Sequence, residues 1–274
     1  MNLVIGGLVL VAVVAVASAA MLLVRRSSPE GSRFTDGDRA SGVFGVLATG
    51  FSVLLGFIIF LAFTSYDESR TGAEAEALVV AQQVQTAQFL PPAVRAELTG
   101  ELICYGRSVV GPEWDRMDDG TQGDAINPWG VALFRTIRGV EPRTASEGSA
   151  YDTWLDQTSA REEARLDRIH GAEGVIPVPL WIALFFISAV VFVYMLFFAD
   201  AAEGAVTQAL LMGSVAAVIT VMLLLLAFLD SPFGSGVGRL EPTAMERTLR
   251  IADQALDAIG RTVRPPCDAR GIPS

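Results

Sequence analysis

Residues 43–64 read VFGVLATGFSVLLGFIIFLAFT, an unbroken stretch without a charge. At about 1.5 Å of rise per residue, a helix of that length crosses the roughly 30 Å of hydrocarbon in a bilayer. Three further runs, Leu3 to Val24, Leu180 to Ala199 and Ala205 to Leu229, have the same character. A soluble fold can hide one such helix, but not four. Backbone groups in lipid must be paired within the chain, and these runs lack the polar alternation of barrel strands. The sequence therefore predicts an all-α polytopic membrane protein with four transmembrane helices, an inserted helical soluble domain and a C-terminal amphipathic helix. The expected segments are a first transmembrane helix over 1–24, an arginine-containing loop over 25–42 and a second helix over 43–65. An acidic helical domain follows over 66–174, then helix three over 175–199, a short loop over 200–204, helix four over 205–229 and a tail over 230–274. Trp181 stands where an interfacial anchor belongs.

The rest of the composition agrees and excludes several classes. Hydrophobic residues make up 51% of the 274 positions, and mean hydropathy is +0.45. The formal net charge is −10 and the chain contains no lysine, which argues against a nucleic-acid partner. Two cysteines are too few for a disulfide scaffold, and the single histidine, His170, leaves little room for an imidazole metal site. His170 reads as a helix-terminal residue favoured by the dipole. No nucleophile with a base nearby, metal cluster or glycine-rich phosphate loop is visible, so no enzyme, metal or cofactor is expected. No ionisable residue lies inside a span, which argues against a proton-coupled transporter.

Ala17-Ser18-Ala19-Ala20 imitates a signal-peptidase site, but no positive charge precedes the apolar run and the run is long for a leader. A retained anchor is the better reading. For orientation, the short first loop carries Arg25, Arg26, Arg33 and Arg39, and such loops stay in the cytoplasm. The flanks of the other membrane ends hold Arg70, Arg161, Arg165, Arg168, Arg239 and Arg247. Because the first helix to insert usually dominates, the soluble domain and tail are expected outside a bacterial plasma membrane.

The segment from 66 to 174 holds 19 carboxylates against 10 arginines, a difference of nine of the ten net negative charges. Its pattern predicts a helix over 68–90 ending at Pro91-Pro92, and a second opening at Pro92 and closed by Glu113-Trp114. A loop from Met117 to Asn127, a short helix from Pro128 to Arg138 and a longer one from about Ser149 to His170 follow. Arg161, Arg165 and Arg168 share one face of that last helix. An anion or lipid-headgroup site is one reading; ion pairs with Glu74, Glu76 or Glu101 on neighbouring helices are the better supported one, given the surplus of carboxylates. Glu74 and Glu76, two apart, point to different faces. The tail should form an amphipathic helix over about Pro242 to Ile259. Cys104 and Cys267 share a compartment in either topology. They form a bridge from tail to domain if it oxidises and remain separate thiols if it does not; a mid-helix cysteine is usually just small and buried.

Two membrane features stand out. Ala48, Ser52 and Gly56 repeat small side chains every four positions, which lets another helix approach. Phe51, Phe57, Phe60 and Phe63 face either lipid or, in an oligomer, an apolar constriction of the kind that gates by dewetting.

The chain resembles the bestrophin-like domain proteins of bacterial membranes from about Gly42 to Leu249. The resemblance rests on Val53 to Phe57 running into Thr64-Ser65-Tyr66-Asp67, on Glu74-Ala75-Glu76-Ala77, Glu113-Trp114 and Arg161 to Arg168, and on Asp230-Ser231-Pro232-Phe233-Gly234 as an interfacial turn after helix four. The bestrophin comparison implies an oligomeric ion channel lined by phenylalanines of the second membrane helix. It also implies a cytoplasmic domain, whereas Arg25 and Arg26 imply the reverse. The alternative to a channel is a membrane-anchored interaction, scaffold or sensing subunit that binds a protein partner through its acidic domain. Either way the expected partners are the lipid bilayer and a second copy or another membrane protein.

Overall fold

A computed structural model of the 274-residue chain describes residues 3–28, 34, 36–120, 127–233, 236–258 and 264–274. Arg33, Gly234 and Ile259 lie outside them, as does most of the predicted Met117 to Asn127 loop. The described residues form helices, with isolated bridges Phe233–Leu240 and Cys267–Pro273 and no strand. In chain order the helices are α1 (Leu3–Arg26), α2 (Gly37–Ala87), α3 (Pro92–Ser108), α4 (Trp114–Asp118), α5 (Pro128–Arg138), α6 (Ala145–His170), α7 (Val178–Leu196), α8 (Ala205–Leu229) and α9 (Thr243–Ala258). The chain divides into a membrane unit, residues 1–64 and 175–230, and a soluble unit, residues 65–174 and 231–274.

Three expectations about boundaries are corrected. The second membrane helix does not stop near residue 65 to be followed by a separate helix: α2 is continuous from Gly37 to Ala87. Beyond Thr64 the side chains turn polar, but none breaks a helix, so the backbone continues while its surroundings change. Glu113-Trp114 does not close α3 either. A π-turn over Val109–Glu113, containing Pro112, carries the chain on into α4. The longer helix α6 begins at Ala145, because the Thr144 hydroxyl accepts the Glu147 N–H (3.1 Å) and caps it there.

Among the described residues, four helices are long and apolar enough to cross a bilayer: α1, α2, α7 and α8. Helix α1 lies along α8, where Gly213 lets Ser18 and Val14 approach and the Ser18 hydroxyl donates to the Ala209 carbonyl (3.2 Å). Ala17, Met21, Ala199, Met212 and Ala216 fill that seam. One end is held by Arg25, whose guanidinium donates to the carbonyls of Ala201 and Glu203. Arg25 therefore closes the α7–α8 turn, beside which Phe34 and Phe44 stack on Tyr194 and meet Phe198 at steeper angles. At the other end Asp230 accepts the backbone N–H groups of Val175 (2.8 Å) and Ile176 (2.9 Å) and the Trp181 indole N–H (3.3 Å).

The described residues of the soluble unit pack around a shared core. Ala77, Val80 and Val84 of α2 meet Leu98, Leu102 and Tyr105 of α3, Leu133 and Ile137 of α5 and Trp154 of α6. The tail completes it: Phe233, Leu240, Met245 and Ala252 are buried in the same cluster. Phe233 meets the Trp114 ring edge-on at 5.4 Å, and the Trp114 N–H donates to the Leu240 carbonyl (3.2 Å). Trp114 thus sits in the middle of a helical path as a buried anchor for the tail.

Candidate functional site

Within the membrane unit, α2 is held by a single face. Phe51, Leu55, Ile58 and Ala62, spaced at i, i+4, i+7 and i+11, are buried. The candidate positions lie off that face. Ala48, Ser52 and Gly56 border an apolar cleft of about 390 Å³ that also touches Val191 of α7 and Val218 of α8. Ser52 donates its hydroxyl to the Ala48 carbonyl (2.9 Å), so its one proton is used within the helix. Phe57, Phe60 and Phe63 do not border the cleft and are exposed at 61%, 63% and 52%. A Cβ placed on Gly42, Gly45, Gly50 or Gly56 would meet no atom within 4 Å. The single chain therefore leaves most of the circumference of α2 without a protein neighbour.

The charged-face candidates lie in the soluble unit. Arg168 is fully buried and forms ion pairs with two carboxylates, Glu76 of α2 (Nε to Oε2, 2.5 Å) and Glu113 of the π-turn (2.8 Å). The Tyr105 hydroxyl donates to the second oxygen of Glu76 (2.5 Å), and the Asn127 amide donates to Glu113. Arg165 approaches Glu113 at 3.6 Å. Arg161 donates to the Gln83 carbonyl oxygen (3.0 Å), pairs with Glu162 (2.9 Å) and lies over the Tyr105 ring at 4.8 Å. The two carboxylates hold the Arg168 pKa above its ordinary value although burial opposes this, and burial pushes the Tyr105 hydroxyl up. Carboxylates and an amide oxygen of the chain itself thus partner all three arginines.

The partners differ from those expected. Glu76 is one; Glu74 and Glu101 are not. Glu74 is exposed and pairs with Arg70 one turn away (3.3 Å), and Glu101 takes a hydroxyl from Thr136. Sequence reasoning missed Glu113, Tyr105, Gln83 and Asn127 as partners. Only the adjacency of Pro112, Glu113 and Trp114 hinted at the turn that aims Glu113 inward.

Cys104 of α3 is bonded to Cys267 of the tail, against the reading of a lone buried thiol. The bond closes a strap in which the Trp129 indole donates to the Gly271 carbonyl (2.6 Å), Arg107 donates to the Asp268 carbonyl (3.2 Å) and Arg270 pairs with Asp115 (3.0 Å). Gly271 has φ +75° and lies against the Ser108 backbone, where any side chain would collide. Among the described residues no group of three or more metal-ligating side chains occurs.

The sequence matches the model of the Bestrophin-like domain over residues 11–245. Among solved structures, a mutant of the bacterial bestrophin homolog from Klebsiella pneumoniae is 14% identical, with a TM-score of 0.69 over 92% of this chain and 99% of that one. A second structure of that homolog, phased with zinc, is 14% identical with a TM-score of 0.67 over the same shares. A structure described as that of a membrane protein is 13% identical, TM-score 0.66, over 95% of this chain and 99% of its own. At such identity these likenesses establish the fold. No curated protein matches. Four bilayer-length helices, an α-helical soluble unit completed by the tail, and a family match covering most of the sequence lead to one conclusion: the chain belongs to the Bestrophin-like domain family of integral membrane proteins.

Proposed function

We propose that the protein is an oligomeric ion channel of a bacterial plasma membrane, in which the membrane half of α2 lines the pore. One observation carries this reading: α2 is anchored through Phe51, Leu55, Ile58 and Ala62, while Gly42, Gly45, Gly50 and Gly56 face open space and Phe57, Phe60 and Phe63 are exposed. In a ring of copies the small residues admit a neighbouring helix and the phenylalanines narrow an apolar passage. The absence of charge in the membrane half of α2 suits a gate that works by wetting. Family membership supports the same reading.

Reconstitution in liposomes tests it. Native mass spectrometry should return a homo-oligomer, and ion flux should respond to F57A, F60A or F63A, which widen the passage. A monomer that passes no ions overturns the reading and favours the membrane-anchored interaction module instead.

The soluble unit faces the extracytoplasmic side in this proposal. The Cys104–Cys267 bond belongs to an oxidising compartment, and Arg25 and Arg39 belong to the cytoplasmic end. An intact-cell protease that cuts the soluble unit supports this sidedness, and cleavage only after lysis refutes it.

A further inference from the structure

The soluble unit contains a second arrangement of carboxylates, separate from the Arg168 ion pairs and unused by the proposed pore. Glu97 and Glu101 stand one turn apart on α3 and share a single partner on α5. The Thr136 hydroxyl lies 3.4 Å from Glu97 Oε1 and 3.1 Å from Glu101 Oε1. A hydroxyl has one proton, so it satisfies only one of them at a time. Glu101 is 7% exposed, and its second oxygen, Oε2, is buried without a hydrogen-bond partner. A buried carboxylate with one free oxygen and a like charge a turn away is costly; the same group carrying a proton costs less.

We propose that Glu97, Glu101 and Thr136 form a proton-binding latch between α3 and α5. With a proton on Glu101 the helices pack closely through Leu98, Leu102, Leu133 and Ile137. Loss of that proton to solvent leaves two carboxylates beside one hydroxyl and loosens α5. The charges that bear on Glu101 are few. Glu97 opposes ionisation and Arg135 of α5 favours it, while α9 meets α3 at Gly106 through the apolar side chains of Met245 and Leu249. Burial outweighs the Thr136 hydrogen bond and pushes the Glu101 carboxyl up to about 7. The latch also touches the strap, because α5 supplies Trp129 to Gly271. This inference does not depend on conduction.

Hydrogen–deuterium exchange of the full chain in nanodiscs at pH 6 and pH 8, corrected for intrinsic rates, tests the latch. Exchange in residues 128–138 should rise by roughly threefold or more at pH 8, while α6 stays protected. E101Q should hold α5 at its acid level at both pH values. E97Q, which keeps Glu101 in place, should move the midpoint to lower pH by removing the like charge. A wild-type α5 indifferent to pH, an E101Q protein that repeats the wild-type rise, or an E97Q midpoint that does not move would each overturn the proposal.

Discussion

Glu76 and Arg168, 92 residues apart in the chain, meet through two hydrogen bonds with neither side chain exposed. The pair joins α2 to α6, and Glu113 shares the same guanidinium. Burying charge is costly, so the geometry has to satisfy nearly every lone pair and proton, and Tyr105 and Asn127 supply the remaining bonds. Removing one member leaves the others unpaired. R168M should lower stability by about 3–5 kcal/mol, whereas the triple change R168M/E76Q/E113Q should recover part of that loss. Thermal unfolding in detergent checks this, and an R168M protein as stable as wild type would count against the network.

The bond between Cys104 and Cys267 spans 163 positions. In the chain-entropy account, a loop of that size contributes roughly 5 kcal/mol by restricting the unfolded chain. C104S/C267S should unfold at a lower temperature, and reductant should lower the wild-type transition but not that of the variant. A wild-type transition indifferent to reductant would mean that the bridge adds nothing.

Helices α2 and α6 touch at Gly72, where an added Cβ would lie 2.5 Å from the Arg168 nitrogen and 2.8 Å from the Ala164 carbonyl oxygen. Neither neighbour is a flexible side-chain tip, so the helices must separate to admit a methyl group. G72A should cost about 1–3 kcal/mol. G148A on α6 is the control: nothing lies within 4 Å of its Cβ, and removal of a helical glycine should leave stability unchanged or raise it by up to about 1 kcal/mol. Equal effects from the two would refute the close contact.

Asp230 accepts from three donors: two backbone N–H groups ahead of α7 and the Trp181 indole. D230N keeps the size but turns an NH2 group toward one of them. A loss of about 1–3 kcal/mol is expected, with faster proteolysis between Gly171 and Pro179. D230N and wild-type proteins cut at the same rate would show the clasp to be dispensable.

The local physics of the chain is written in its residues one stretch at a time. Whether Val43 to Thr64 lies in lipid depends on its own hydropathy, and where α5 begins depends on Asn127 and Pro128, so both were legible without a partner. The family resemblance, read from short landmarks in order along the chain, rested on the same kind of information. What the arginines of α6 bind was legible only as a class. A surplus of carboxylates promised pairs, yet the choice of Glu76 and Glu113 over Glu74 and Glu101 depended on helix rotation and on a π-turn through Pro112. Whether Cys104 and Cys267 meet, and which face of α2 is buried in the single chain, were settled by tertiary packing. Hydropathy and caps act within a few residues, whereas the pairing of buried charges and thiols is fixed by which surfaces meet in space, over separations of 92 and 163 positions.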